Sequence, residues 1–266
     1  MNRLGLIGGV SWVSTMEYYR RLNLRVQQGD GSHTSADLVM VSLNFKAILT
    51  CQKTGDEDGE YAILADAAHI IEQAGASKLL ICSNTTSRTC DRLQTHFNLE
   101  VVNIIDSTLA HIRRCGYTRV GLLGTRYVME DTFYRKRLED AGIEVVTPKC
   151  VDRNAIHNII YQELCRGIFS PISREIFENV IKQFAQSGMD AVILGCTEIP
   201  LVFPHLPSHG GIAIIDSIDA HLDAAVGISS QYIPHKEPDF GLASNFVFPG
   251  DPRARHCPDP IAQTGG

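Results

Sequence analysis

The chain lacks an apolar run approaching the ~20 residues that cross a bilayer, and it holds a single tryptophan. It has no Cys-x-x-Cys pair and no His-Glu-x-x-His spacing among its ten histidines, so a zinc site has little support. Positive charge is not in excess: 24 Lys and Arg against 30 Asp and Glu leave a net charge of -6, which argues against a nucleic-acid surface. The start, Met1-Asn2-Arg3 before Leu4-Gly5-Leu6-Ile7-Gly8, is too short for a signal peptide, and the expected location is cytoplasmic. No Gly-x-Gly-x-x-Gly and no P-loop is present. Gly5-Leu6-Ile7-Gly8-Gly9 therefore reads as a tight turn with close backbone approach. Lys46 and Lys78 sit in no recognisable phosphate cup for pyridoxal phosphate, and the expectation is no cofactor and no metal. The eight cysteines, at 51, 82, 90, 115, 150, 165, 196 and 257, are spread too evenly for a disulfide framework and read mostly as reduced filler.

What the chain does have is alternation. The 266 residues, 44% hydrophobic and 20% charged, make an ordinary globular composition, long enough for one large domain or two smaller ones. Short apolar segments at Leu4–Gly8, Leu38–Leu43, Lys78–Cys82 and Glu100–Ile105 predict strands. Amphipathic segments at Ser14–Gln28, Tyr61–Gln73 and Thr108–Cys115 predict helices between them. The pattern is that of parallel sheets with helices on both faces.

It then restarts. Leu4–Ser11 resembles Val120–Tyr127, shifted by 116 residues, and Gln73–Ser83 resembles Gln186–Cys196, shifted by 113. Ile104-Ile105-Asp106-Ser107 with Ala110-His111 recurs as Ile214-Ile215-Asp216-Ser217 with Ala220-His221, shifted by 110. Three pairs in one order at nearly constant offset mark a tandem duplication. The expected fold is two similar α/β domains with parallel sheets, related by a pseudo-twofold axis, with an active-site cleft between them. The first domain is expected over 1–105 with a returning helix at 215–230, the second over 106–214. A proline-rich flexible tail is expected over 231–266.

The duplication makes Ser83 and Cys196 equivalent strand-end residues on opposite walls of the cleft. A cysteine alone is more often core filler than a nucleophile. Two protic groups on opposite walls, however, suit a reaction that removes a proton from one face of a carbon acid and returns one to the other. The polar residues after each strand, Asn84-Thr85 and Thr197-Glu198, are placed to stabilise the charge that develops. As helix-capping loop residues they need no such role.

Gly8-Gly9-Val10-Ser11-Trp12, Ser83-Asn84-Thr85, Leu123-Gly124-Thr125-Arg126-Tyr127 with Met129-Glu130, and Gly195-Cys196-Thr197-Glu198 resemble the aspartate/glutamate racemase superfamily. The likeness spans about residues 3 to 230 and is strongest to the bacterial branch that racemises amino acids without pyridoxal phosphate. It implies a small-molecule amino-acid substrate, a homodimer, and no membrane or nucleic-acid partner. It implies Cys196 and Ser83 as the catalytic positions, Asn84 and Thr85 at the substrate carboxylate, and Thr197 and Glu198 as their second-domain counterparts. Gln52 falls where relatives contact substrate, and Ser11 lies in the glycine-rich first loop.

The sequence departs from that pattern in three places. Ser83 stands where the family usually has cysteine, and a hydroxyl is far less acidic than a thiol with its pKa of about 8.5, so strongly unequal rates in the two directions are expected. Thr86-Ser87 replaces the usual histidine. The family's substrate-anchoring lysine is absent, with Arg153 the nearest substitute. These departures keep two alternatives open. One is a single-cysteine relative of the arylmalonate-decarboxylase or maleate-isomerase kind; the other is a catalytically silent small-acid-binding protein.

Overall fold

The computed structural model describes residues 3–30, 33–203 and 208–227, so the segment expected as a tail, 231–266, lies outside the described residues. In chain order the elements of the first half are β1 (Leu4–Gly8), α1 (Trp12–Asp30), β2 (Leu38–Ser42), α2 (Phe45–Thr54), α3 (Glu57–Gln73), β3 (Lys78–Ile81), α4 (Cys90–His96) and β4 (Glu100–Val102). There follow α5 (Ile104–Cys115), β5 (Arg119–Gly124), α6 (Arg126–Glu130), α7 (Thr132–Glu139), β6 (Glu144–Val146) and α8 (Cys150–Gln162). The described chain closes with α9 (Pro171–Gln186), β7 (Ala191–Gly195), β8 (Ser208–His209), β9 (Ile212–Asp216) and α10 (Ser217–Val226).

Two sheets result, with the same topology. The first runs β2-β1-β3-β4, all parallel; the second runs β6-β5-β7-β9, all parallel, with β8 antiparallel on its edge. The register carries the duplication. Leu4 faces Lys78 in the first sheet and Val120 faces Ala191 in the second, which are the shifts of 116 and 113 read in the sequence. β1, β3, β5 and β7 are almost wholly apolar and buried, as strands covered on both faces must be.

The third sequence pair is corrected by this register. Lys78 faces Glu100 and Ala191 faces Ala213, so the structural shift is 113 here as well. Asn103 and Asp216 are the true equivalents, and each caps a helix: Asn103 accepts from Ile105 N, and Asp216 from Ile218 N. Ile104 and Ile105, expected to end a strand, are the first turn of α5. The β-branched pair reads as strand by propensity, but the Asn103 cap starts the helix at Ile104, four residues before the expected Thr108. The Phe45–Thr54 helix was not anticipated at all.

The two helices that follow these caps cross over. Ile104, Ile105 and Ile112 of α5 pack with Val120, Leu122 and Ile193 of the second sheet. Ile218, Leu222 and Ala225 of α10 pack with Leu4, Leu6 and Leu80 of the first. Each large aliphatic side chain so buried contributes roughly 1.5–3 kcal/mol. Polar contacts fix α10 on α1: Arg21 and Arg25 bridge Asp216, Asp219 and Asp223 at 2.5–3.2 Å. The buried His221 adds a link, with Nε2 2.7 Å from Val102 O and Nδ1 2.8 Å from Tyr18 Oη. A carbonyl can only accept, so Nε2 carries the proton and Nδ1 accepts from the tyrosine. Among the described residues no helix is long and apolar enough to cross a membrane.

Candidate active site

The carboxyl ends of β1, β3, β5 and β7 converge, as expected for the crevice of an open parallel sheet. After β1 the chain turns at Gly9, whose φ is +79°. A Cβ there would lie 2.2 Å from Leu43 O, so only glycine allows the close approach. The turn delivers Ser11 to the cleft. β3 ends at Ile81, and Ser83, Asn84 and Thr85 follow at its tip; β7 ends at Gly195, followed by Cys196, Thr197 and Glu198.

These six strand-end residues line one small cavity of about 20 Å3, joined by Gln52 from α2. That volume is room for roughly one water. Ser11 lies behind the cavity and reaches it through Glu198. Hydrogen bonds stitch the two halves together here: Ser11 Oγ donates to Glu198 Oε1 at 2.6 Å, and Asn84 Nδ2 donates to Ser217 Oγ at 3.0 Å. The hydroxyls of Thr85 and Thr125 lie 2.9 Å apart.

Glu198 is the centre of the polar network. It is 3% exposed. Its Oε2 accepts from Cys196 Sγ and Thr197 Oγ1, both at 3.0 Å, and its Oε1 accepts from Ser11 Oγ and, at 3.8 Å, Cys165 Sγ. Four donors converging on two oxygens is the coordination of an ionised carboxylate. Burial, and then the Glu198 charge, hold the Cys196 thiol well above its ordinary pKa. Cys196 is therefore a thiol that donates, not a resting thiolate. On the opposite wall the Ser83 hydroxyl accepts only a long contact from Thr86 N, at 3.4 Å. Asn84 Oδ1 is buried and has no hydrogen-bond partner, an unpaired polar atom in a residue that lines the cavity.

Several residues of this site were not legible beforehand. Cys165, read as filler, borders the cavity beside Tyr161 and Phe45. Phe45 and Tyr161 stack across the halves with ring centroids 6.3 Å apart, and Tyr161 Oη donates to Gln52 Oε1 at 3.3 Å. Gln52 is held from behind by buried Glu60, which Arg88 pairs at 2.7 Å.

One further expectation is corrected. Arg153 does not reach the cavity: its guanidinium binds Glu130 at 2.8 Å and Pro148 O at 2.7 Å. Lys78 starts β3, at the opposite end from the site, and pairs with Glu100. Cys82, next to Ser83, is turned to the other face, into the core with Leu6, Tyr18 and Leu22. Among the described residues no group of three His, Cys, Asp or Glu is placed to hold a metal.

A second cavity, of about 400 Å3, adjoins the first and shares Phe45, Tyr161 and Cys165 with it. Arg126 and Tyr127, from the run after β5, line this outer space.

Paired sheets of one topology, meeting at strand ends that carry a hydroxyl and a thiol, define a duplicated α/β protein with its site between the halves. The chain belongs to the Asp/Glu/Hydantoin racemase family, whose model matches residues 7–225. A Yersinia pestis protein described as a candidate Asp/Glu racemase is 40% identical, with a TM-score of 0.77, and the match covers 85% of this chain and 98% of that one. An aspartate racemase homologue from Pyrococcus horikoshii is 32% identical, with a TM-score of 0.71 over the same shares. Among curated proteins, the glutamate racemase of Aquifex pyrophilus is 24% identical over 158 residues. That alignment covers 58% of this chain and 59% of that protein.

Proposed function

We propose that the protein is an amino-acid racemase that moves the α-proton with side chains alone, through Cys196 on one wall and Ser83 on the other. The observation that carries this reading is that these two residues, equivalent under the internal repeat, line the same cavity. An α-amino acid supplies what the cavity lacks. Its ammonium is the cation that buried Glu198 and the unpartnered Asn84 Oδ1 are without, and its carboxylate meets the hydroxyls of Thr85 and Thr197.

In one direction Cys196 first passes its proton to Glu198 Oε2, and the thiolate then takes the Cα proton. The incoming ammonium offsets the Glu198 charge that held the thiol protonated. A proton reaches the opposite face from the Ser83 hydroxyl; water refills Ser83, and the hydroxide so formed takes up the proton released from Glu198, which restores the resting carboxylate. In the other direction Ser83, or a water it holds, must abstract the proton, and Cys196 donates as the thiol it already is. Because a serine hydroxyl is so weak an acid, the two directions run at strongly unequal kcat, with KM differing in proportion because the two enantiomers are equal in free energy. The cavity is smaller than any amino acid, so the Phe45–Tyr161 contact has to part to admit one, as lids do.

The lone strand-end thiol supports a second reading, a one-base enzyme that protonates a single face. A deuterium-exchange panel separates the two. The racemase reading requires α-proton loss from both enantiomers of one amino acid; a one-base enzyme shows it from one at most. We also propose a homodimer, on the family likeness.

A further inference from the structure

Charge is distributed unevenly around the inner cavity. Glu198 is its one charged residue, and no Lys, Arg or His lines it. The strand-end groups are those used by the α-carbon and its two charged substituents: Ser83 and Cys196 at the proton, Glu198 and Asn84 at the ammonium, Thr85 and Thr197 at the carboxylate. What remains of the wall is Val10, Phe45, Gln52, Ile160, Tyr161 and Cys165. Val10 and Ile160 are buried, and Phe45 and Tyr161 stack on each other. Burial and the Glu198 charge keep the Cys165 thiol protonated. No member of this group carries a charge of either sign.

The cations of the region are held elsewhere. Arg88 stands behind Gln52 and is neutralised by Glu60 at 2.7 Å. Arg153 is bound to Glu130 at 2.8 Å. Lys53, Arg126 and Arg166 line the outer cavity and not the inner one. Gln52, the most polar side chain of the remaining wall, is fixed by two neighbours: its Oε1 accepts from Tyr161 Oη at 3.3 Å, and its amide bonds Glu60. A primary amide has two N–H donors and two lone pairs, so Gln52 keeps capacity for a hydroxyl or an amide but offers no charge.

We propose that this remaining wall is the side-chain subsite and that it selects α-amino acids whose side chain is uncharged, either apolar or carrying a hydroxyl or amide. The inference rests on the racemase reading above. The zwitterion brings the one ammonium that Glu198 lacks. A side-chain carboxylate adds a second anion to a buried site that already holds Glu198 and supplies no cation, and a buried charge without a partner is heavily penalised. A lysine-like side chain finds no second anion, because Glu198 is taken by the α-ammonium. Selectivity comes from the charge that the wrong side chain would leave unpaired.

The test uses isosteric pairs, which differ in charge and not in size. α-Proton exchange in D2O is measured for aspartate and asparagine, for glutamate and glutamine, and for 2-aminoadipate, lysine, alanine, serine and 2-aminobutyrate. The best substrate is expected among the uncharged members, with kcat/KM at least a hundredfold above that of any acid or of lysine. Cys165 is partly exposed, borders both cavities and lies 3.8 Å from Glu198 Oε1, so Cys165→Lys supplies the missing cation. In that variant the ratio of the best acid to the best uncharged substrate is expected to rise at least tenfold. Exchange that is best with an acid or with lysine, or a ratio that Cys165→Lys leaves unchanged, overturns this inference and leaves the racemase reading standing. Silence across the whole panel removes both.

Discussion

Cys196 Sγ lies 3.0 Å from Glu198 Oε2, and the thiol is the donor of that pair. Burial and then the Glu198 charge keep the thiol protonated at rest, and in the proposed mechanism Glu198 is also the acceptor through which it becomes a base. A thiol beside a cationic group is ready as a nucleophile; one beside a buried carboxylate waits for its substrate's charge.

Alkylation tests this pairing. Peptide-resolved mass spectrometry with iodoacetamide is expected to show Cys196 modified far more slowly at neutral pH than the exposed Cys115 and Cys150. Glu198→Gln removes one of the two main causes of the upward shift, so the pH midpoint of Cys196 alkylation moves down. The same substitution lowers kcat by roughly 10²-fold or more, the scale of a lost proton-transfer partner. A midpoint that stays put shows that burial alone sets the thiol.

Ser83→Cys restores a thiol to both walls. It is expected to raise exchange of the slower enantiomer at least tenfold while changing the faster one little. Measured as initial α-proton loss from each enantiomer separately, no change in the slower one removes Ser83 from the proton path.

Stability depends on acid through His221. Burial holds its imidazole down to a pKa of about 4, below the ordinary 6.5. The unfolded chain therefore binds a proton that the folded one refuses between those values, and stability falls as pH drops from 6.5 toward 4. The contribution is on the order of 3 kcal/mol at 1.36 kcal/mol per unit. Urea titrations at pH 7 and pH 5 give the slope, and His221→Gln flattens it.

Arg25→Met removes the Arg25 part of the α1–α10 bridge and takes its arginine from Asp223, which is 8% exposed. The expected loss is about 2–3 kcal/mol, below the full cost of splitting a buried pair because Asp219 is a third exposed. For a domain of this size that lowers Tm by roughly 5–10 °C. A scanning calorimetry trace with an unchanged midpoint contradicts the bridge's role.

The sequence made the strand-end half of the site readable and hid the rest, for a physical reason. Ser83 and Cys196 follow short apolar runs, and the repeat makes them equivalent, so position and pairing both show in the chain. Phe45, Tyr161 and Cys165 come from helices, where an aromatic or cysteine facing a cavity has the same periodicity as one facing the core. The α5 start was missed because Ile104-Ile105 has strand propensity, which the Asn103 cap overrides. Arg153 was a reasonable cation by composition, but its reach is taken up by Glu130. The cations that do line a cavity, Lys53, Arg126 and Arg166, lie apart in sequence and meet only in the fold.

The most direct measurement is α-proton exchange followed by NMR in D2O, over both enantiomers of aspartate, glutamate, 2-aminoadipate and several neutral amino acids. The account predicts exchange from both enantiomers of at least one of these, at unequal rates, and its loss in Cys196→Ala. Exchange that survives in Cys196→Ala, or no exchange from any member of the panel while a small acid raises Tm, would contradict it.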